Sequence, residues 1–344
     1  MSLDKPRILI IYTGGTIGMV QDPESGALVP FDLESLIQFA PELKRIHCEV
    51  DLNSFMEPID SSNMNPNGWR TIAETIEANY NSYDGFVVLH GTDTMSFTAS
   101  ALSFMLENLG KPVILTGSQL PIGMSRTDAR ENLITAIEMA AQIERGKAQV
   151  PEVCLYFEDQ LFRGNRTHKH NSEHFEAFNS VNYPKLAEAG IKIRFHRDFI
   201  RSMPNEPLRL IKGAEERVGS LKIFPGMTEQ YFSSILKHAG LKALLLETYG
   251  AGNAFTDDWF LDGIKEAMTD GLVVANITQC AAGSVDMGRY ETSRRLQEMG
   301  VWTGYDMTFE SAITKLMIVL GNPDQFEDPK FAFETSLRGE LSES

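Results

Sequence analysis

Short apolar runs that end in glycine- or threonine-rich turns, each followed by a helix-like stretch, leave this chain few ways to fold. Arg7–Tyr12, Gly85–His90 (GFVVLH), Pro112–Gly117 (PVILTG) and Glu152–Phe157 (EVCLYF) are too short for helices and lack the polar alternation of half-exposed strands. They read as strands buried on both faces. Between them, Asn67–Tyr80, Thr94–Asn108 and Arg126–Arg145 read as helices. In the second of these, Met95, Leu102, Met105 and Leu109 recur at helical spacing, with Gly110 and Pro112 as stop signals. Strands alternating with helices predict a parallel sheet covered by helices. Right-handed crossovers then bring the strand-to-helix turns to one sheet edge, where such folds bind ligands.

The pattern fades after about Ile193, and the polar stretch that follows, with Pro204 and Pro207, reads as a linker. Alternation resumes as strand Ser220–Phe224, helix Thr228–His238, strand Ala243–Thr248, helix Asp257–Thr269, strand Leu272–Thr278 and helix Tyr290–Met299. The expected architecture is α/β: a larger N-terminal domain with a mainly parallel sheet flanked by helices over residues 1–195, a linker over 196–219, and a smaller C-terminal α/β domain over 220–344. A chain of 344 residues supports two such cores.

Composition narrows the function. The net charge of −16 repels a phosphate backbone, so a nucleic-acid partner is not expected. No apolar run approaches the roughly 18–20 residues that cross a bilayer, so no membrane partner is expected either. The apolar stretch Ile8–Tyr12 is too short for a signal-peptide core. Cys48, Cys154 and Cys280 are widely spaced and form neither a disulfide framework nor a zinc motif. A reducing, cytoplasmic setting is the expectation.

Two predicted strands end in turns that could carry chemistry: Thr13-Gly14-Gly15-Thr16-Ile17-Gly18 and His90-Gly91-Thr92-Asp93-Thr94. Glycine lets backbone N–H groups approach a ligand, and a helix N-terminus attracts an anion. A threonine hydroxyl there can act as a nucleophile once a base removes its proton. The glycines at 14, 15 and 18 do not match the dinucleotide spacing GxGxxG, and no acidic residue ends a second strand about twenty residues on. Thr94 reads as a helix cap. Thr92 beside Asp93 suggests one group that reacts and one that grips an ammonium. No G-x-S-x-G elbow is present. Cys280, just past a strand, reads as packing. His168, His170 and His174 lack an accompanying carboxylate pattern and read as a solvated loop, so no metal is expected.

At these two turns the sequence resembles the L-asparaginase family, and most closely its bacterial cytoplasmic, type I branch. TGGTIG and LHGTDTM are similar to the family's two signature segments. The likeness continues through Asp60-Ser61-Ser62-Asn63-Met64, TASALSFMLENLGKPVILTGSQ, Arg163-Gly164-Asn165-Arg166, Tyr249-Gly250-Ala251-Gly252-Asn253 and Leu337-Arg338-Gly339-Glu340. It covers essentially the whole chain.

The resemblance implies hydrolysis of L-asparagine with no cofactor, by a homodimer or a dimer of dimers. Thr16 matches the position that forms the acyl-enzyme. Thr92, Asp93 and Lys169 match a second catalytic cluster, and Asp60, Ser61, Ser62 and Gly91 match substrate-binding positions. Asn253 and the region near Tyr290 match positions that approach the site from a neighbouring subunit. Asp93 would pair with the substrate ammonium and Ser61 with its carboxylate. The Thr92 N–H would hold the oxyanion, and Lys169 would accept the proton through Thr92. Many members carry a tyrosine in the segment after TGGTI, where this chain has Leu28, so either another group orients Thr16, with Tyr290 as the candidate, or acylation relies on water. Some type I enzymes are activated by asparagine at a second site beside the TQC segment. Here Glu247 stands where an arginine would bind the effector carboxylate and His168 replaces a threonine, so activation is not expected.

Overall fold

The computed structural model describes residues 5–21, 28–30, 38, 40–238, 240–288 and 291–342. The chain divides into two compact units, Met1–Ile211 and Lys212–Ser344.

The first unit is organised by an eight-stranded sheet. Its strands are β1 (Arg7–Tyr12), β2 (Glu49–Ser54), β3 (Gly85–Leu89), β4 (Val113–Thr116), β5 (Val153–Phe157), β6 (Gln160–Arg163), β7 (Ala187–Ala189) and β8 (Ile193–Phe195). They lie in the order β8-β7-β6-β5-β4-β3-β1-β2. Strands β2, β1, β3, β4 and β5 pair in parallel, and β5 through β8 continue antiparallel. Every residue of β3, β4 and β5 is buried, which is why their sequences carry no polar alternation. Among the described residues its longer helices are α1 (Pro66–Asn79), α2 (Met95–Met105) and α3 (Ala129–Ala140). Ala129, Leu133, Ala136 and Ile137 of α3 pack with Ile8, Ile10, Val87, Leu89 and Ile114 in one core cluster. The alternate sheet residues Leu9, Ile11, Phe86, Val88 and Leu115 are equally buried and face away from it. Helix α2 packs on β4 and β5 with α1 beside it, and ten of its eleven residues are buried.

Several expected boundaries shift for local reasons. The helix read over Thr94–Asn108 stops at Met105, because Leu106–Glu107 forms a short ladder with Arg209–Leu210. The helix read over Arg126–Arg145 is trimmed to α3, and its tail, Ile143–Glu144, pairs with Lys147–Ala148. Strand β2 sits at the sheet edge, and in EVDLNS only Val50 and Leu52 join the core, so it carries no apolar run. The hairpin joining β5 to β6 turns through Glu158 and Asp159, both at positive φ (44° and 62°), with none of the usual glycine signal.

In the second unit β9 (Val218–Lys222), β10 (Ala243–Thr248), β11 (Val273–Thr278) and β12 (Trp302–Thr303) form a parallel sheet in that order. Leu244 and Leu246 face a cluster with Phe232, Phe260, Ile264 and Leu296. Ala243 and Leu245 face another with Ala312, Leu316 and Phe333. The second cluster is supplied by Phe309–Leu320 and Pro329–Glu334, two helices that the sequence reading left unassigned.

Candidate active site

Three loops converge at the carboxyl ends of β1 and β3. The turn after β1 begins with Thr13, whose N–H and hydroxyl both donate to the Leu89 carbonyl at the end of β3 (3.0 Å each). Gly14 and Gly15 follow at φ +132° and +88°. A Cβ on Gly14 would fall 2.1 Å from the Ile59 carbonyl oxygen, and one on Gly15 would fall 2.4 Å from the Gly91 nitrogen. Backbone therefore presses on backbone, and only glycine fits either position. Thr16 comes next, half-buried, and opens a single 3-10 turn over Thr16–Gly18.

The third loop holds Asp60, Ser61 and Ser62. Ile59 N–H donates to the Thr13 carbonyl at 2.7 Å, tying this loop to the first. The buried Ser61 hydroxyl lies against Gly91, where a Cβ would meet it at 2.4 Å. The Thr94 hydroxyl donates to the Ser61 carbonyl at 2.7 Å. This corrects the expectation for Thr94: it occupies the cap position of α2, but its side chain makes no cap hydrogen bond and instead ties the two loops together. Asp60 and Ser62 are exposed and bond each other. The Ser62 N–H and then its hydroxyl hold the Asp60 carboxyl below its ordinary range.

Lys169 reaches this cluster from the far side of the antiparallel hairpin, on the short strand His168–Lys169. Its ammonium donates to Thr92 Oγ1 at 2.8 Å and to Asp93 Oδ1 at 2.7 Å. The Asp93 side chain is 68% exposed, so this ion pair adds only about 0–1 kcal/mol to stability. Its position on the Thr92 hydroxyl is the more consequential feature. The fold thus joins Thr92, Asp93 and Lys169 directly, and sets the turns that carry Thr16, Ser61 and Gly91 in backbone contact around them. Asn253 lies in the second unit, where its backbone forms an isolated bridge with Tyr249. Tyr290 lies outside the described residues, as does the side chain of Leu28.

The sequence reading missed Gln119. Thr92 Oγ1 donates to Gln119 Oε1 at 3.3 Å, and Gln119 Nε2 donates to the carbonyls of Ser172 and His174. Asp128 fixes this segment by accepting the N–H groups of Gln119 and Leu120, and burial pushes its carboxyl up. Gln119 closes the TGSQ stretch at the end of β4, a strand end that could have marked it. His168, His170 and His174 are exposed, and among the described residues no three His, Cys, Asp or Glu side chains come together to hold a metal. No helix among them is long and apolar enough to cross a membrane.

The asparaginase N-terminal domain model matches residues 7–201, and the glutaminase/asparaginase C-terminal domain model matches residues 217–333. The chain is 43% identical to L-asparaginase 1 of Escherichia coli (strain K12), over 99% of both chains. It is 39% identical to the longer 60 kDa lysophospholipase of Mus musculus, over 98% of this chain and 62% of that one. Among solved structures, L-asparaginase I from Vibrio cholerae superposes with a TM-score of 0.88 at 39% identity, covering 98% of this chain and all of that one.

Proposed function

Because this chain belongs to the asparaginase family, we propose that it hydrolyses L-asparagine to L-aspartate and ammonia through an acyl-enzyme on Thr16. The observation that carries this reading is Lys169 seated on both the Thr92 hydroxyl and the Asp93 carboxylate, beside the turn that bears Thr16.

In the proposed sequence Asp93 pairs with the substrate ammonium, and Ser61 with Gly91 and neighbouring N–H groups receives the α-carboxylate. The Thr16 oxygen bonds to the side-chain amide carbon. Its proton passes to Thr92, while the Thr92 proton passes to the amine form of Lys169. The amide oxygen becomes an oxyanion held by the Thr92 N–H. As the intermediate collapses the C–N bond breaks, Lys169 returns the proton to the leaving nitrogen, and ammonia departs. Water attacks the ester along the same path, releasing aspartate and restoring Thr16.

Tyr290 is our candidate to orient Thr16, and Asn253 to approach the site from a second subunit of a homodimer or dimer of dimers. A cytoplasmic setting fits the three free cysteines. Glutamine is one methylene longer, so a closed pocket would penalise it by about 1–3 kcal/mol, or roughly 10- to 200-fold in kcat/KM. The test is ammonia release from asparagine. Wild type should turn over, and Thr16→Ala should fall by about 10⁴-fold or more. Asparagine binding without turnover by the wild type would sink the reading.

A further inference from the structure

The frame beneath residues 91–93 is built from side chains that this reaction does not use. His90 is wholly buried at the end of β3. Its Nδ1 lies 2.7 Å from the Gly91 carbonyl oxygen, and its Nε2 lies 2.9 Å from Thr98 Oγ1 on α2. The Trp69 indole N–H of α1 donates to the same Thr98 oxygen at 3.2 Å. A carbonyl oxygen only accepts, so Nδ1 must carry the imidazole proton. Nε2 is then a lone pair that accepts the Thr98 hydroxyl proton, while the Thr98 oxygen accepts from Trp69. The chain of donors runs one way, from Trp69 through Thr98, with the His90 ring as its last member against Gly91. Burial pushes the His90 ring down to about 4, so it stays neutral near neutral pH and keeps both roles.

The Gly91 C=O and the Thr92 N–H belong to one planar peptide and point in opposite directions. Whatever fixes that carbonyl also aims that N–H. Glycine by itself would leave the peptide free to rotate. We propose that His90 is a positioning residue: its Nδ1–H bond to the Gly91 carbonyl, braced by Thr98 and Trp69, locks the Gly91–Thr92 peptide with its N–H aimed at the developing oxyanion. This deepens the proposed function and rests on the Thr92 N–H being the oxyanion donor.

The test uses the full-length enzyme with steady-state asparagine kinetics and thermal unfolding of each variant. Asparagine at position 90 carries its amide N–H near the place of Nδ1, whereas glutamine carries its amide near the place of Nε2. His90→Asn should keep kcat within about tenfold of wild type. His90→Gln should lower kcat about 10²-fold with KM changed less than about threefold. Equal losses in the two variants, losses that track the fall in Tm, or an effect confined to KM would overturn the proposal. Should either variant fail to fold, Thr98→Val keeps the ring and removes its brace, together with the acceptor of the Trp69 N–H. A fall in kcat of about three- to tenfold at unchanged KM supports the proposal, and an unchanged kcat overturns it. Thr16→Ala in the same assay separates the two readings. Turnover by Thr16→Ala defeats the acyl-enzyme itself; an inactive Thr16→Ala with indistinguishable His90 variants defeats the positioning role alone.

Discussion

Glu340→Gln should destabilise the second unit far more than a one-atom change suggests. The Lys315 and Glu340 side chains are both 0% exposed and form an ion pair. Lys315 Nζ also donates to the carbonyls of Phe333 (2.8 Å) and Thr335 (2.6 Å), and Glu340 accepts the N–H groups of Leu337 (2.9 Å) and Arg338 (2.6 Å). The pair therefore fastens the C-terminal Leu337–Glu340 segment to the helix Phe309–Leu320. A neutral carboxamide weakens the two backbone bonds by about 1 kcal/mol each. It also leaves the buried ammonium with no anionic partner, only neutral oxygens. Breaking such a pair costs about 3–5 kcal/mol in all, which in a unit of this size lowers Tm by about 10–20 °C. Replacing both members, as Lys315→Met with Glu340→Leu, removes the unpaired charge and should fall within about 2 kcal/mol of wild type.

The same pair sets a pH dependence. Burial alone would raise the Glu340 carboxyl, but Lys315 and the two N–H groups outweigh it and hold the carboxyl below its ordinary range. A depressed carboxylate stabilises the fold above its unfolded pKa, about 4, and the contribution is lost as pH falls through the folded value. Calorimetry from pH 7 down to about 3 should therefore show an acid loss in wild type that is smaller in Glu340→Gln. A Glu340→Gln enzyme within about 1 kcal/mol of wild type at pH 7 would refute the reasoning.

Gly15→Ala drives a methyl into the Gly91 backbone at a positive φ, so it should cost about 2–5 kcal/mol and at least about 10² in kcat. Gly146→Ala is the control, strained in φ but with nothing within 4 Å, and should cost about 1 kcal/mol in chemical denaturation with activity retained. Gln119→Leu removes the acceptor of the Thr92 hydroxyl and should lower kcat about tenfold with a smaller change in KM, read from initial rates. Glu247 is half-buried at the end of β10, and burial raises its carboxyl. Asparagine saturation should be hyperbolic; a sigmoidal curve that Glu247→Arg or Cys280→Ala alters would contradict the absence of activation.

The runs GFVVLH, PVILTG and EVCLYF determined the parallel centre of the sheet by themselves, because a strand buried on both faces must be apolar throughout. The TGGTIG and LHGTDTM turns could be found the same way, since glycine and threonine at a strand end are local signals. The edge strand Glu49–Ser54 and the Glu158–Asp159 hairpin could not, for one side of β2 is half-wet and the turn lacks glycine. Nor could local pattern assign a partner to Lys169 or a role to Gln119, Asp128 and His90. The bonds of Thr92 and Asp93 to Gln119 and Lys169 span 27 to 77 positions and arise only when crossovers bring separate strand ends to one edge. Those of His90 to Thr98 and of Gln119 to Asp128 span 8 and 9 positions and form only once each strand end packs against the helix that follows it. Sequence determined which side chains were available for chemistry, and the tertiary fold decided which of them touch, because hydrogen bonding acts over about 3 Å whatever the separation along the chain.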